Sequence, residues 1–107
     1  MRIQEYGTST LPGLLGDTDR VLVHFGTDWC GPCKRLERVL LGLVEKEALG
    51  AHLAKVNVED EPELAQLYSV TKNPTLCYFE HGSLVRSREG FASEEVVLTL
   101  MGRDTDN

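Results

Sequence analysis

Residues 21–33 constrain this chain more than any other stretch. Val21-Leu22-Val23-His24-Phe25 is a short run rich in β-branched and aromatic residues, and it reads as a buried strand. After a four-residue loop, Cys30-Gly31-Pro32-Cys33 opens a segment in which Leu36, Val39, Leu40, Leu43 and Val44 recur at i, i+3, i+4, i+7 and i+8. That spacing is one face of an amphipathic helix. Gly42 inside it costs about 1 kcal/mol of propensity relative to Ala, and Glu47-Ala48-Leu49-Gly50 reads as its end. A buried strand feeding a helix with one apolar face points to layered α/β packing.

The rest of the pattern agrees. Residues 2–6 read as a short edge strand, and 9–15 as a weak helix broken at Pro12 and Gly13. Residues 53–58 alternate Leu53, Lys55 and Asn57 against Ala54, Val56 and Val58, a strand. Asp60 as cap, Pro62 in the first turn and Glu63 three residues on fit a capping box for a helix carrying Leu64, Ala65, Leu67 and Tyr68. Residues 75–79 form a strand entered through Asn73-Pro74, His81-Gly82 a turn, and 83–87 the returning strand. Ser93-Glu94-Glu95 starts a last helix through Val96, Leu98 and Met101. The expected order is β-α-β-α-β-α-β-β-α, an α/β fold with a central mixed β-sheet flanked by helices. At 107 residues, 1–107 form a single domain, with 103–107 a disordered polar tail.

With 41% hydrophobic and 26% charged residues the chain reads as globular rather than disordered. A net charge of −6 argues against binding nucleic acid or an anionic membrane surface, both of which need basic faces. No apolar run approaches the ~20 residues that span a bilayer, and no signal-peptide core follows Arg2. A cytoplasmic location is expected. Three cysteines cannot close a disulfide framework, so the close pair points to catalysis or metal binding.

Cys-x-x-Cys at a helix start has a mechanism. The first turn offers unpaired N–H groups and the positive end of the helix dipole, and both favour a thiolate. Only the thiolate attacks a disulfide, so Cys30 is the candidate nucleophile. Cys33 lies one turn along the same face and can resolve the resulting mixed disulfide. Lys34 and Arg35 add positive charge nearby. Pro32 fixes the backbone, and Gly31 leaves the approach open. Zinc and iron–sulfur sites use the same spacing, but a tetrahedral site needs four ligands, and His24 and Cys77 are the recruits the sequence offers.

Trp29-Cys30-Gly31-Pro32-Cys33-Lys34 resembles the active-site motif of the thioredoxin family, and the resemblance runs over roughly residues 21–101. Residues 21–25 match the family's central strand, Lys55-Val56-Asn57-Val58 the next, Asn73-Pro74-Thr75 its cis-proline turn, Gly82 its hairpin turn, and Gly90 the loop before its last helix. The resemblance implies a thioredoxin fold, a cis Pro74 beside the dithiol, and a substrate groove formed by Trp29, Gly31, Pro32, Asn73, Pro74 and Gly90. It implies a thiol–disulfide oxidoreductase that reduces protein disulfides, is recharged by an external reductase, and carries no cofactor beyond the Cys30–Cys33 dithiol. Disulfide-containing proteins would be its partners, with no nucleic acid, no membrane and a monomeric state. An oxidase or isomerase on the same fold, or an interaction subunit with a dedicated partner, are the other classes.

Three positions depart from the family. His24 stands where a buried Asp, six residues before the first Cys, normally assists the proton of the second Cys. A neutral imidazole could relay that proton, with Lys55 in support, or be a satisfied core histidine. Burial and Lys55 are expected to hold it neutral. Gly26 replaces an aromatic, which is expected to open space beneath the active-site loop. Asn73 replaces an aliphatic residue before the cis-proline and suggests an altered substrate preference. Elsewhere, Cys77 reads as a buried inert thiol rather than a regulatory one. His52 and His81 read as surface residues, and Glu59, Asp60, Glu61 and Glu63 as a solvated helix start that could also steer a basic partner.

Overall fold

The computed structural model describes residues 2–103. Its elements run α1 (Leu11–Asp17), β1 (Arg20–Gly26), α2 (Gly31–Glu45), β2 (His52–Asn57), α3 (Pro62–Leu67), β3 (Thr75–Glu80), β4 (Ser83–Glu89) and α4 (Glu94–Leu100). The four strands form one mixed sheet in the order β2-β1-β3-β4. β1 pairs parallel with β2 and antiparallel with β3, and β3 pairs antiparallel with β4.

Helices cover both faces, so the central strand β1 is buried from Val21 to Gly26 instead of alternating. The period of two then sorts side chains between two cores. Leu22, Leu76 and Tyr78 meet Leu36, Leu40 and Leu43 of α2 and Val97 and Leu100 of α4. Val21, Val23, Phe25, Ala54, Val56, Cys77 and Phe79 meet Leu11 and Leu15 of α1 and Leu64 of α3. By the same alternation His24 and Gly26 face the α2 side, and the register His24↔Lys55 puts Lys55 beside His24.

Four sequence expectations are corrected. Residues 2–6 form no regular strand: Glu5 makes an isolated parallel bridge to Lys55, through Tyr6 N–H to Lys55 O (2.8 Å) and Lys55 N–H to Gln4 O (3.0 Å). Of the side chains Arg2 to Glu5 only Ile3 is buried, too little apolar surface to extend the pairing. Second, Pro12 and Gly13 do not break the first helix, which continues to Asp17. Pro12 sits in its first turn, where a missing N–H costs nothing. Third, the capping box at α3 does not form. The cap is Glu61 and not Asp60, so Glu63 falls two residues after the cap instead of three, and the Glu61 carboxylate makes no capping bond but accepts from the Thr8 backbone N–H and hydroxyl, both at 2.8 Å. Fourth, Arg103 is tied down: its guanidinium donates to the carbonyls of Ala48 (3.0 Å) and Leu49 (2.7 Å). The remaining tail residues, 104–107, lie outside the described residues.

The hairpin turn is as expected. His81 and Gly82 have φ of 51° and 83°, the left-handed pair that suits the twist of a two-residue hairpin. Ser93 caps α4, accepting from the Val96 N–H at 3.3 Å. Among the described residues no helix is long and apolar enough to cross a membrane.

Candidate active site

The central strand β1 ends at Gly26, and α2 begins three residues after the loop residue Asp28. Cys30 is the N-cap of α2, with extended backbone angles (φ −87°, ψ 118°), and Pro32 lies in the first turn. The Cys33 backbone N–H donates to Cys30 Sγ at 3.2 Å. A first-turn N–H without an intrahelical partner is thereby aimed at the sulfur, where it stabilises negative charge. All three cysteines are free thiols, Cys30 half-buried and Cys33 and Cys77 buried.

The two sulfurs are unequal. Burial pushes the Cys33 thiol up to about 11, helped by its hydrogen bond with Cys30 and by the negative charges of Cys30 and Glu37, while the Thr27 backbone opposes. Cys33 therefore keeps its proton at neutral pH.

The groove residues inferred from the resemblance gather around Cys30. The Asn73–Pro74 bond is cis, and the Asn73 carbonyl oxygen lies 3.9 Å from Cys30 Sγ. The Gly90 N–H donates to the Pro74 carbonyl at 2.8 Å, fixing the loop before α4 against this turn. Gly31, Pro32 and Asn73 are exposed. Trp29 is 70% exposed, yet its indole N–H donates to Glu59 Oε1 at 2.9 Å and so is tethered to the start of the α3 region.

Beneath the dithiol the geometry is more specific than the sequence implied. A Cβ on Gly26 would stand 2.9 Å from Cys33 Sγ and 3.0 Å from the Cε1 of His24. The expected open space is thus filled: residue 26 is a glycine because the resolving sulfur and the imidazole close over its backbone. Sulfur and ring carbon each lie within 3.0 Å of one point, so they are at most about 6 Å apart. His24 is fully buried, and neither ring nitrogen has a hydrogen-bond partner among the described residues. It is not a histidine satisfied by the protein. Burial, and then the charge of Lys55, lower it to about 4, so it is neutral, as expected.

Lys55 is turned from His24 toward carboxylates. Its Nζ lies 3.1 Å from Glu37 Oε2 and 3.4 Å from Asp28 Oδ1. Burial pulls its pKa down, but the two acids outweigh this and the net shift is upward. Sequence reasoning missed Glu37 and Asp28. The signal for Glu37 was present, since it follows Cys33 by four residues and so shares its helical face. Asp28, in the loop two residues before Cys30, carried no spacing signal. Cys77 sits in the opposite core from Cys33, and burial pushes it up to about 12. It cannot join Cys30 and Cys33 in a metal site. His52 and His81 are exposed, beside Tyr6 and Asp19.

This geometry has counterparts in known proteins. The family model described as Thioredoxin matches residues 11–102. A thioredoxin of Chlamydia caviae is 37% identical over 86 residues, covering 80% of this chain and 83% of that protein. A thioredoxin of Mycobacterium tuberculosis is 34% identical over 85 residues, covering 79% and 73%. Among solved structures, a mutant thioredoxin from Halobacterium salinarum superposes with a TM-score of 0.80 at 33% identity, covering 92% of this chain and 89% of that one. Matched along nearly its whole length, this chain belongs to the thioredoxin family and is a thiol–disulfide oxidoreductase that reduces protein disulfides.

Proposed function

We propose that Cys30 is the attacking thiolate and Cys33 the resolving thiol of this reductase. Cys30 Sγ attacks one sulfur of a substrate disulfide, forming a mixed disulfide and releasing the first substrate thiolate. Cys33 then gives up its proton and attacks Cys30 Sγ. The Cys30–Cys33 disulfide closes, the second substrate thiol leaves, and two electrons have passed from dithiol to substrate. The observation that carries this assignment is the Cys33 N–H aimed at Cys30 Sγ (3.2 Å) while Cys33 itself is buried and protonated.

His24 is the proton relay for the second step. Its unbonded ring nitrogens and its closeness to Cys33 support this reading. Because it is held neutral it passes the proton on without storing it, and Lys55 acts in support. Trp29, Gly31, Pro32, Asn73, Pro74 and Gly90 form the substrate groove, and the amide of Asn73 biases it toward a partner of its own. The dithiol is the only redox group required, so an external reductase supplies the electrons. The protein acts as a cytoplasmic monomer on disulfide-containing proteins, and its net charge of −6 keeps it from nucleic acid and anionic membranes.

The test is trapping. Cys33→Ser should accumulate a mixed disulfide between Cys30 and an insulin chain, and Cys30→Ser should form none. The same adduct in Cys30→Ser would reverse the roles. The reduction potential should lie near about −270 mV, the figure that belongs to thioredoxin itself, carried over to this member of its family. A value of about −120 to −180 mV would mark an oxidase or isomerase.

A further inference from the structure

On the face of the sheet that α2 covers, the buried cation Lys55 has a neutral imidazole and no carboxylate beside it on β1. His24 and Lys55 are paired in register on neighbouring strands. His24 is neutral and offers Lys55 nothing. The counter-charges come from the two segments that flank the dithiol. Asp28 lies two residues before Cys30, and Glu37 one helical turn after Cys33. They are not equivalent. The Asp28 side chain is 69% exposed and 3.4 Å away, whereas Glu37 is 21% exposed and 3.1 Å away. Solvent screens the first contact, so Glu37 is the effective partner.

Resting on the assignment of Cys33 as the resolving thiol, we propose that Glu37 is a positioning residue that sets the charge felt by that thiol, with Lys55 as its mask. The carboxylate shares the helical face of Cys33, and negative charge there disfavours a second negative charge on the sulfur. Its influence is moderated by the ammonium at 3.1 Å. Opening the pair would release the full field of whichever member remains. The groups facing Cys33 are Cys30 on its own helix, the Thr27 backbone in the loop, neutral His24 on β1 and Glu37 on α2. Lys55 on β2 is paired with Glu37, Asp28 contacts Lys55 and not Glu37, and Lys34 and Arg35 are exposed. Glu37 is thus the one facing carboxylate, and the charge of Lys55 reaches Cys33 by way of this direct partner.

The experiment is a two-residue cycle read on Cys33. In a Cys30→Ser background, the Cys33 ¹³Cβ shift is followed by NMR from pH 6 to 12 in the parent, Glu37→Gln, Lys55→Gln and the double variant. Glu37→Gln should lower the Cys33 midpoint by about a few tenths of a pH unit, since burial and Cys30 weigh more on this thiol than the Glu37 charge does. Lys55→Gln should raise it, because the carboxylate is unmasked. In the double variant the Lys55→Gln rise should vanish, because no carboxylate remains to unmask. A merely structural role would move both single variants in the same direction, and that result overturns the proposal, as does an unmoved midpoint in Glu37→Gln. Should Lys55→Gln fail to fold, the near-isosteric Glu37→Gln decides alone by its downward shift. Insulin reduction by the unmodified chain, and its loss in Cys30→Ser, test the reductase assignment separately, so the two cannot fail under the same result.

Discussion

His24 has a larger effect on stability than its silence at neutral pH suggests. Its pKa is near 6.5 in the unfolded chain and about 4 in the folded protein. Between those values the unfolded state holds the extra proton, so stability is full above pH 6.5 and is lost as the pH falls toward 4. The loss attributable to this one ring is roughly 3 kcal/mol. Urea midpoints at pH 7.5 and 4.5 should therefore differ less in His24→Leu than in the parent, and an equal difference in both would show that the imidazole is not the source. Replacing a ring with two unbonded nitrogens by an apolar side chain should also not destabilise at pH 7.5. Gly26 is the opposite case, a residue that matters through what it lacks. Gly26→Ala places a methyl 2.9 Å from Cys33 Sγ, and overpacking of this kind costs about 1–3 kcal/mol. Thermal melts should fall accordingly, and the reduction potential should move with them because the displaced atom is the resolving sulfur.

Among the elements, α2 shows how separable the demands on one helix are. Its start is built for chemistry, its Leu36, Leu40 and Leu43 stripe for the core, and Gly42 for neither. A Cβ there would meet only Glu94 Oε2, at 3.6 Å, an ordinary contact. Gly42→Ala should stabilise by about 0.5–1 kcal/mol with turnover unchanged, measured by denaturant titration and insulin reduction. Element by element, legibility followed the range of the interactions involved. β1, α2, the β3–β4 hairpin and the α4 cap are fixed by local periodicity, turn residues and caps, and they stood out in the sequence. The α3 capping box failed because the helix caps at Glu61 and not at Asp60, and Glu61 is held by Thr8, 53 positions away, a contact no local rule registers. Residues 2–6 failed for a related reason, since a lone bridge to Lys55 depends on where β2's edge lies. The site divides in the same way. Cys30, Cys33, Trp29 and Pro74 belong to motifs, whereas the filling of the Gly26 space and the Lys55–Glu37 pair exist only once α2 is laid across β1 and β2.

At the scale of the molecule, His24 and Cys33 sit about 4 and about 11, with neutrality between them. The reduction potential plotted against pH should show no inflection from either group between about pH 5 and 10. An inflection in that window that disappears in His24→Leu would contradict the neutral imidazole. The sheet itself partitions the sulfur chemistry. Cys33 lies on the α2 side and Cys77 on the α1 and α3 side, with β1 and β3 between the two cores. Cys77 is fully buried in the middle of the sheet, so an alkylating reagent reaches it only when this core opens. Its modification rate, read by mass spectrometry of the peptide around residue 77, is consequently a stopwatch for that opening, one that runs in the same sample while the other two sulfurs turn over.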